Sequence, residues 1–262
     1  MDLVDFNRAF RARSEEIGKT IQECRTFLRS SQAKEAKLQL DLRVPPPQQA
    51  EWDLGFFANN YSLYDSKVFD LGYWYWKKVQ NDDQLVEIPV PTLLYHPLTF
   101  PYRDLWGNPV GLCGRTILNK EQQTKKKISK YKYTRDLDKS YYCYGLNKAK
   151  SSILDKGFAI VVEGQIDCIS SHAAGMTNTV AVGGSDLSEH QFRQLRLFTD
   201  RIVLAFDPDA AGRAGAAKAI ERYCEDAEIQ YVNFNEGSDI DELLKSDKKQ
   251  EIMEQINKAG GR

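Results

Sequence analysis

The fold class of this chain is best inferred from one segment, Ile202-Val203-Leu204-Ala205-Phe206-Asp207-Pro208-Asp209-Ala210-Ala211-Gly212. Five apolar residues end at two acids, and an alanine-rich segment follows them, which predicts a buried strand over 202–206 and a helix through Tyr223. Similar units surround this one, with predicted strands at 158–162, 179–182 and 230–234. Four short strands that alternate with helices predict an α/β fold with a four-stranded parallel sheet flanked by helices.

Local signals support the predicted helices. Gly175 is a predicted C-cap of the helix that follows the first strand. Ser188 and Gln191 have the spacing of a capping box, with Leu187 and Phe192 as a hydrophobic staple. The second strand ends at Gly183-Gly184, and Gly164 follows the first, so we expect room there for a phosphate or a backbone to approach closely.

Acidic residues follow three of the four predicted strands: Glu163 and Asp167 after the first, Asp207 and Asp209 after the third, and Asp239 and Asp241 after the fourth. Parallel sheets place functional groups beyond the carboxyl ends of their strands. If the strands are adjacent, these acids meet at one edge. We expect Asp167, one helical turn after Glu163, to point the same way.

Neighbouring carboxylates repel one another, so they either keep a proton or bind a cation. Oxygen ligands without a nearby His or Cys suit Mg²⁺ or Mn²⁺, which are the predicted cofactors. The alternative is that such acids only cap helices, and this applies first to Asp209 and Asp239. The five cysteines lie far apart without a C-x-x-C pair, so neither zinc nor a disulfide scaffold is expected.

The net charge of −1, from 36 basic and 37 acidic residues, conceals a basic segment between Arg115 and Lys150. Lysines and arginines there far outnumber acids, and five tyrosines lie among them. Such a mixture can neutralise phosphates and stack on bases, so we expect nucleotide or single-stranded template binding. The alternative is a solvated lysine-rich loop.

The remaining sequence defines the predicted domain boundaries. Residues 3–42 have the apolar spacing of one or two amphipathic helices, and the prolines at 45–47 predict an extended spacer after them. We therefore expect a helical segment with linker at 1–47, a mixed α+β basic subdomain at 48–155, the catalytic domain at 156–246 and a polar tail at 247–262. Residues 105–111 are a predicted hairpin turn. Aromatic residues are dense between Trp52 and Gly111, and we expect them in the core first and as base-stacking platforms second.

Hydrophobic residues make up 42% of the 262-residue chain and charged residues 28%, which excludes a disordered chain. No apolar run approaches the roughly 20 residues of a membrane helix, and the first residues include acids where a secretory leader carries lysine or arginine. We expect a cytoplasmic protein, or one of the host cytoplasm if it is viral, with no membrane partner.

Two motifs resemble a known family. Val161-Val162-Glu163-Gly164-Gln165-Ile166-Asp167 and Ala205-Phe206-Asp207-Pro208-Asp209-Ala210-Ala211-Gly212-Arg213 resemble the TOPRIM domain of DnaG-type primases, topoisomerases and some nucleases. Upstream, Phe100-Pro101-Tyr102-Arg103-Asp104, Gly107 and Val110-Gly111-Leu112-Cys113-Gly114-Arg115 resemble the start of the catalytic core of bacterial and phage DnaG-type primases. Lys130-Tyr131, Lys139 and Tyr144-Gly145-Leu146 extend this resemblance, which runs from about 100 to 244.

The resemblance implies a DNA primase, which synthesises short RNA primers on single-stranded DNA from ribonucleoside triphosphates by metal-dependent nucleotidyl transfer. It implies that Glu163, Asp207 and Asp209 are the main catalytic metal ligands. Asp239 and Asp241 would be further ligands, and Asp167 would support the site. Template or nucleotide would be bound by Arg103, Arg115, Lys130, Tyr131 and Lys139.

The sequence also departs from this family. DnaG-type primases usually carry a zinc-binding domain and a helicase-binding domain, for which no counterpart is found here, and residues 1–99 match poorly. We therefore expect either a reduced primase of a virus or mobile element, or a piece of a longer protein. Such a chain would depend on a replicative helicase or a separate initiation factor.

Two other functions stay open at this point. A TOPRIM-type nuclease would use the same acids and metals, and a nucleic-acid-binding accessory protein would use the acids only as helix caps. The basic segment favours a primase over a nuclease, and the full set of acids favours an enzyme over a binding protein. A topoisomerase is less favoured, because the rest of the chain is too small to supply a strand-cleaving tyrosine domain.

Overall fold

The computed structural model describes residues 34–56, 74–81, 84–93, 95–135, 137–234 and 238–261, with Glu15 and Gly18 as isolated positions. The chain forms two compact units. The first comprises residues 1–102 and 108–138, and the second comprises 103–107 and 139–262. Most of the predicted N-terminal helix and residues 57–73 of the aromatic stretch lie outside the described residues.

The first unit is built around an antiparallel sheet. Its elements are α1 (Lys34–Asp41), α2 (Pro46–Glu51), β1 (Gly55–Phe56), β2 (Trp74–Asn81), β3 (Gln84–Pro91), β4 (Leu98–Arg103), β5 (Pro109–Arg115), α3 (Lys120–Lys126) and β6 (Tyr131–Tyr133). Strands β1, β4, β5 and β6 are neighbours in that order, and β2 pairs with β3 as a separate hairpin. Phe100 and Tyr102 of β4 are fully buried, as expected for core aromatics.

The prolines at 45–47 do not form the predicted extended spacer. Pro46 and Pro47 occupy the first turn of α2, and Pro45 is its N-cap residue. The first amides of a helix have no intrahelical acceptor, so prolines there lose no hydrogen bond and already have a helical φ. Consecutive prolines stop a helix in its interior, whereas here they begin one.

The second unit contains the predicted parallel sheet. A 3₁₀ turn (Lys139–Tyr141) is followed by α4 (Leu146–Lys156), β7 (Ala159–Val162), α5 (Gln165–Ala173), β8 (Thr179–Ala181), α6 (Glu189–Arg196), β9 (Arg201–Leu204), α7 (Ala210–Tyr223), β10 (Glu228–Tyr231), α8 (Ile240–Leu244) and α9 (Lys249–Ala259). The strand order is β10-β9-β7-β8, and every pair is parallel. The α/β fold is therefore confirmed.

The central strand β7 is apolar and fully buried because it is covered on both faces. One core joins its side chains to those of α4, α6 and α7, with Leu146, Leu195 and Ala216 among the buried members. Strand β9 lies beside β7, on the side opposite β8, so the order of the strands reverses between β7 and β9. In open α/β sheets, such a switch point opens a crevice at the carboxyl ends of the strands.

The structure differs from the predicted domain boundaries at both ends of the catalytic domain. The predicted polar tail contains helix α9, whose Ile252 and Ile256 are buried. Two apolar residues one helical turn apart are enough to give this polar segment a buried face. At the other end, residues 139–155 belong to the second unit, because α4 contributes Leu146, Ala149 and Ile153 to its core.

No helix among the described residues is both long enough and apolar enough to cross a lipid bilayer.

Candidate active site at the carboxyl edge of the parallel sheet

Glu163 and Asp207 meet at the switch point of the sheet. Glu163 follows β7 directly, and its Oε1 accepts a hydrogen bond of 3.2 Å from the backbone N–H of Asp207, which comes after β9. The Glu163 carbonyl also accepts a hydrogen bond of 2.8 Å from the N–H of Gly183, just past β8. Glu163 therefore connects the ends of three adjacent strands.

Gly212 allows helix α7 to begin against this pair. A Cβ at position 212 would lie 2.2 Å from the Asp207 carbonyl oxygen and 2.7 Å from Glu163 Oε1. Both distances are far shorter than atoms tolerate, and the nearer atom belongs to the backbone. The glycine of the quoted stretch therefore has a steric function that spacing alone did not reveal.

Asp209 and Asp239 are helix N-caps, as the alternative interpretation held. Asp209 Oδ1 accepts a hydrogen bond of 2.8 Å from the N–H of Gly212 in α7. Asp239 Oδ1 accepts one of 2.9 Å from the N–H of Glu242 in α8. Capping uses one of the two carboxylate oxygens, so a cap residue keeps the capacity to bind a cation.

Asp167 is buried and interacts electrostatically with acids that follow β9 and β10. Burial raises the pKa of the Asp167 carboxyl well above its ordinary value, and the charges of Asp239, Asp207 and Asp241 raise it further. A hydrogen bond of 3.0 Å from the Gly164 N–H to Oδ2 opposes this shift. The electrostatic repulsion predicted for the acidic edge therefore acts on Asp167, to which the sequence assigns a supporting function.

Asp241 is already paired within the second unit. Its carboxylate accepts a hydrogen bond from Ser170 Oγ of α5 and lies 2.7 Å from Lys245 Nζ. The sequence analysis missed both partners. The i, i+4 spacing of Asp241 and Lys245 could have indicated this ion pair, because such residues are neighbours on a helix.

The acids thus share one edge of the sheet, and four of them are hydrogen-bonded to backbone amides in this arrangement: Glu163, Asp167, Asp209 and Asp239. In the described part of the chain, no group of three or more His, Cys, Asp or Glu residues is arranged to hold a metal ion. The donor set consists of carboxylate oxygens, which match the preference of Mg²⁺ and Mn²⁺. Each of these carboxylates accepts its amide bond through one oxygen, and the second oxygen would be the ligand for such an ion.

Lys139 brings a positive charge to the same edge. Its Nζ donates a hydrogen bond to the carbonyl of Gly183, and a Cβ at Gly184 would lie 2.9 Å from that Nζ. The glycine pair after β8 therefore leaves space for a lysine side chain, whereas the sequence predicted space for a phosphate or a backbone.

The capping box of α6 holds the turn that carries Lys139. The predicted Ser188–Gln191 box is present, with hydrogen bonds in both directions. The buried Gln191 Nε2 also donates to the carbonyls of Lys139, Tyr142 and Val182, each at 3.1 Å. Ser188 Oγ donates to the Ser140 carbonyl at 2.5 Å. Gln191 thus has a second function, which no local sequence signal indicates.

Two of the remaining predicted binding residues pair across strands β5 and β6 of the first unit. Arg115 and Tyr131 are register partners, and Arg115 Nη1 donates to Tyr131 Oη at 2.9 Å. The exposed Lys130 has its Nζ 5.8 Å from the centroid of the Tyr131 ring. Arg103, in the second unit, donates from Nη1 to the Gly107 carbonyl at 2.8 Å. Arg115, Lys130 and Tyr131 are therefore one cluster, whereas Arg103 stabilises a turn.

Comparison with protein families and curated proteins gives consistent matches. Residues 160–244 match the Toprim-like family model. The DNA primase of Aquifex aeolicus (strain VF5) is 32% identical over 213 residues, which cover 74% of this chain and 42% of that primase. The DNA primase of Lactococcus lactis subsp. lactis (strain IL1403) is 34% identical over 149 residues, which cover 57% of this chain and 23% of that primase. The chain thus spans less than half the length of these relatives.

Comparison with solved structures supports the same fold over almost the whole chain. A DnaG primase catalytic domain bound to single-stranded DNA aligns with a TM-score of 0.76 and 20% identity, covering 96% of this chain and 80% of that one. The zinc-binding and RNA polymerase domains of Aquifex aeolicus primase align with a TM-score of 0.73 and 24% identity, covering 94% of this chain and 61% of that one. With its Toprim-like domain and its match to primase sequences, this chain belongs to the DnaG-type primases and has the fold of their catalytic core.

Proposed function

We propose that this chain is the polymerising core of a DNA primase, which makes short RNA primers on single-stranded DNA by nucleotidyl transfer. The observation that carries the proposal is the junction of Glu163, Asp207 and Gly212 at the switch point of the sheet. That junction lies within the Toprim-like match of a chain whose sequence relatives are DNA primases.

We propose that the same acids hold Mg²⁺ or Mn²⁺. Glu163, Asp207 and Asp209 would be the main ligands, and Asp239 and Asp241 would contribute further oxygens. When bound, such ions align a primer 3′-hydroxyl with the α-phosphate of a nucleotide and stabilise charge on the attacking and leaving oxygens. Asp167 would lose its proton when cation charge replaces the repulsion that now raises its pKa.

The basic residues would bind the nucleic acid and the incoming ribonucleoside triphosphate. Lys139 is held at the acidic edge, where its ammonium can exchange the Gly183 carbonyl for a phosphate oxygen. Arg115, Lys130 and Tyr131 combine two cations with an aromatic ring, a combination suited to a single-stranded template. Asp207→Ala would therefore abolish synthesis, whereas Lys130→Ala would weaken template binding.

Primer synthesis by the full chain tests the proposal. The chain is mixed with single-stranded DNA, a labelled ribonucleotide set and Mg²⁺ or Mn²⁺, and the products are separated by size. We expect labelled oligoribonucleotides from the unsubstituted chain and none from Asp207→Asn. Asp226→Asn, an exposed acid just after α7, is the matched control and should retain synthesis.

Other results would contradict the proposal. Degradation of the DNA without synthesis would indicate a nuclease that uses the same acids. Binding of DNA with neither activity, unchanged by Asp207→Asn, would indicate an accessory protein whose acids serve as helix caps.

A further inference from the structure

Trp106 is the most exposed of the large hydrophobic side chains described in this structure. It is 81% exposed, whereas Trp52 is 5% exposed. The turn that carries it connects β4 to β5, where short polar residues are the usual choice. Neither packing nor turn geometry therefore accounts for a tryptophan at this position.

The turn around Trp106 is fixed by hydrogen bonds within the second unit. The buried Asp104 accepts from the Trp106 N–H through its carboxylate and from the Gly107 N–H through its carbonyl, each at 3.0 Å. Gly107 has a φ of +90°, which favours glycine. These bonds fix the backbone at Trp106 before any ligand arrives, which lowers the entropic cost of binding.

Two cations donate hydrogen bonds to the backbone carbonyls of the residues that flank Trp106 in sequence. Lys150 Nζ donates to the Leu105 carbonyl at 2.8 Å, and Arg103 Nη1 donates to the Gly107 carbonyl at 2.8 Å. An exposed ring with positive charges at its base matches a nucleotide unit, because the ring stacks on the base while the cations attract the phosphate.

We propose that Trp106 is a stacking platform for one base of single-stranded DNA. The inference rests on the proposed function and adds to it a template contact outside the acidic edge. Stacking on an aromatic side chain tolerates any base, so this contact would hold the template without reading its sequence.

Fluorescence anisotropy with the full chain and a labelled oligodeoxythymidylate of about 15 nucleotides tests the proposal. Trp106→Ala should weaken binding about 5-fold to 100-fold, the usual effect of removing one stacked ring. Trp106→Phe keeps an aromatic ring and should stay within about threefold of the unsubstituted chain. Leu154→Ala, at a second exposed apolar side chain of the same unit, is the control and should leave binding unchanged.

Two further readouts separate stacking from general electrostatics. Trp106 contributes no charge, so Trp106→Ala should leave the slope of log Kd against log salt unchanged, whereas Lys130→Ala should reduce it by roughly one. Single-stranded DNA should quench the tryptophan fluorescence of the unsubstituted chain, and Trp106→Phe should remove most of that quenching.

The outcomes that overturn the proposal are distinct from failure of the proposed function. If the unsubstituted chain binds the DNA and Trp106→Ala binds it equally well, the stacking contact is wrong while a primase function stands. If the unsubstituted chain does not bind the DNA at all, both fail. If Trp106→Ala leaves DNA binding unchanged but dissociates a dimer in sedimentation, the ring is a contact between two copies of the chain.

Discussion

Gly212→Ala probes the junction on which the proposed chemistry depends. Ordinary helix propensity favours this change, because alanine stabilises a helix interior by about 1 kcal/mol relative to glycine. At position 212 the added Cβ would lie 2.2 Å from the Asp207 carbonyl oxygen and 2.7 Å from Glu163 Oε1. Ordinary contacts are close to about 3.4 Å, so the backbone at Asp207 must move by roughly 1 Å.

The expected consequence is a large loss of activity with a small loss of stability. Overpacking costs typically about 1–3 kcal/mol, which the helical gain partly offsets, so we expect a net destabilisation of about 1–2 kcal/mol. A displacement of about 1 Å in a catalytic group lowers rates by roughly 100-fold. Urea unfolding and primer synthesis, measured at the same temperature, give the two quantities.

Ala214→Gly is the matched control for this experiment. It lies in the same helix at an exposed position, and it should destabilise the chain by about 1 kcal/mol without reaching the acids. If Ala214→Gly is destabilised about as much as Gly212→Ala but synthesises primers normally, the loss of activity in Gly212→Ala is due to the changed junction. If primer synthesis by Gly212→Ala stays within about threefold of the unsubstituted chain, the close approach of Gly212 to Glu163 and Asp207 has no consequence for activity, and this prediction is wrong.

Three further predictions test other parts of the structure. Because the pKa of Asp167 is raised in the folded state, folding takes up a proton at this carboxyl. The free energy of unfolding therefore falls as pH rises above about 3.9, the ordinary pKa of an aspartate. Asp167→Asn should therefore melt higher than the unsubstituted chain at pH 7.5 in EDTA, and the difference should shrink towards pH 4; a variant that melts lower at both pH values would contradict this. Gln191→Leu removes the donor to the carbonyls of Lys139, Tyr142 and Val182, so we expect a lower melting temperature together with a raised nucleotide KM, because Lys139 loses its position. An unchanged nucleotide KM would show that Gln191 does not position Lys139 for nucleotide binding. Ile256→Ala should cost about 2–4 kcal/mol in urea unfolding, whereas the exposed Gln255→Ala should cost less than about 0.5 kcal/mol, and equal effects would show that α9 is not part of the core.

Local pattern predicted three strands of the sheet well because β7, β8 and β9 are short, mostly apolar runs ended by a turn signal. Strand β10 alternates polar and apolar residues, and it spans Glu228–Tyr231 where the pattern predicted 230–234. The strands predicted at 158–162 and 202–206 correspond to β7 and β9, and the Ser188–Gln191 capping box is present with both of its hydrogen bonds. The acids after β7 and β9 come together because parallel strands end at the same edge. These features depend on residues within a few positions of each other or on a general rule of sheet topology.

Long-range contacts of the site could not be predicted in this way. Gln191 reaches Lys139 across 52 positions, and Ser170 reaches Asp241 across 71. Neither pair has a local signature, because the partner of a buried polar group is decided by how the elements pack. The order of the strands could not be predicted either, because the sequences of the strands do not show which of them are neighbours in the sheet.

Two local predictions failed for a different reason, which is that the same signal has more than one meaning. Proline stops a helix in its interior but begins one at its first turn, and the prolines at 46 and 47 are of the second kind. The segment after 247 is polar in composition, yet two isoleucines four positions apart give it a buried face. In both places, position mattered more than composition.

Electron paramagnetic resonance of bound Mn²⁺ measures whether the carboxylates at the acidic edge hold a divalent ion, and it requires no template, nucleotide or partner. We expect saturable Mn²⁺ binding that weakens about tenfold or more in Asp207→Asn and in Glu163→Gln. Lys130→Ala should bind the ion as the unsubstituted chain does, since that lysine belongs to the template cluster. Equal Mn²⁺ affinity in the unsubstituted chain, Asp207→Asn and Glu163→Gln would contradict the claim that these carboxylates hold the catalytic ions.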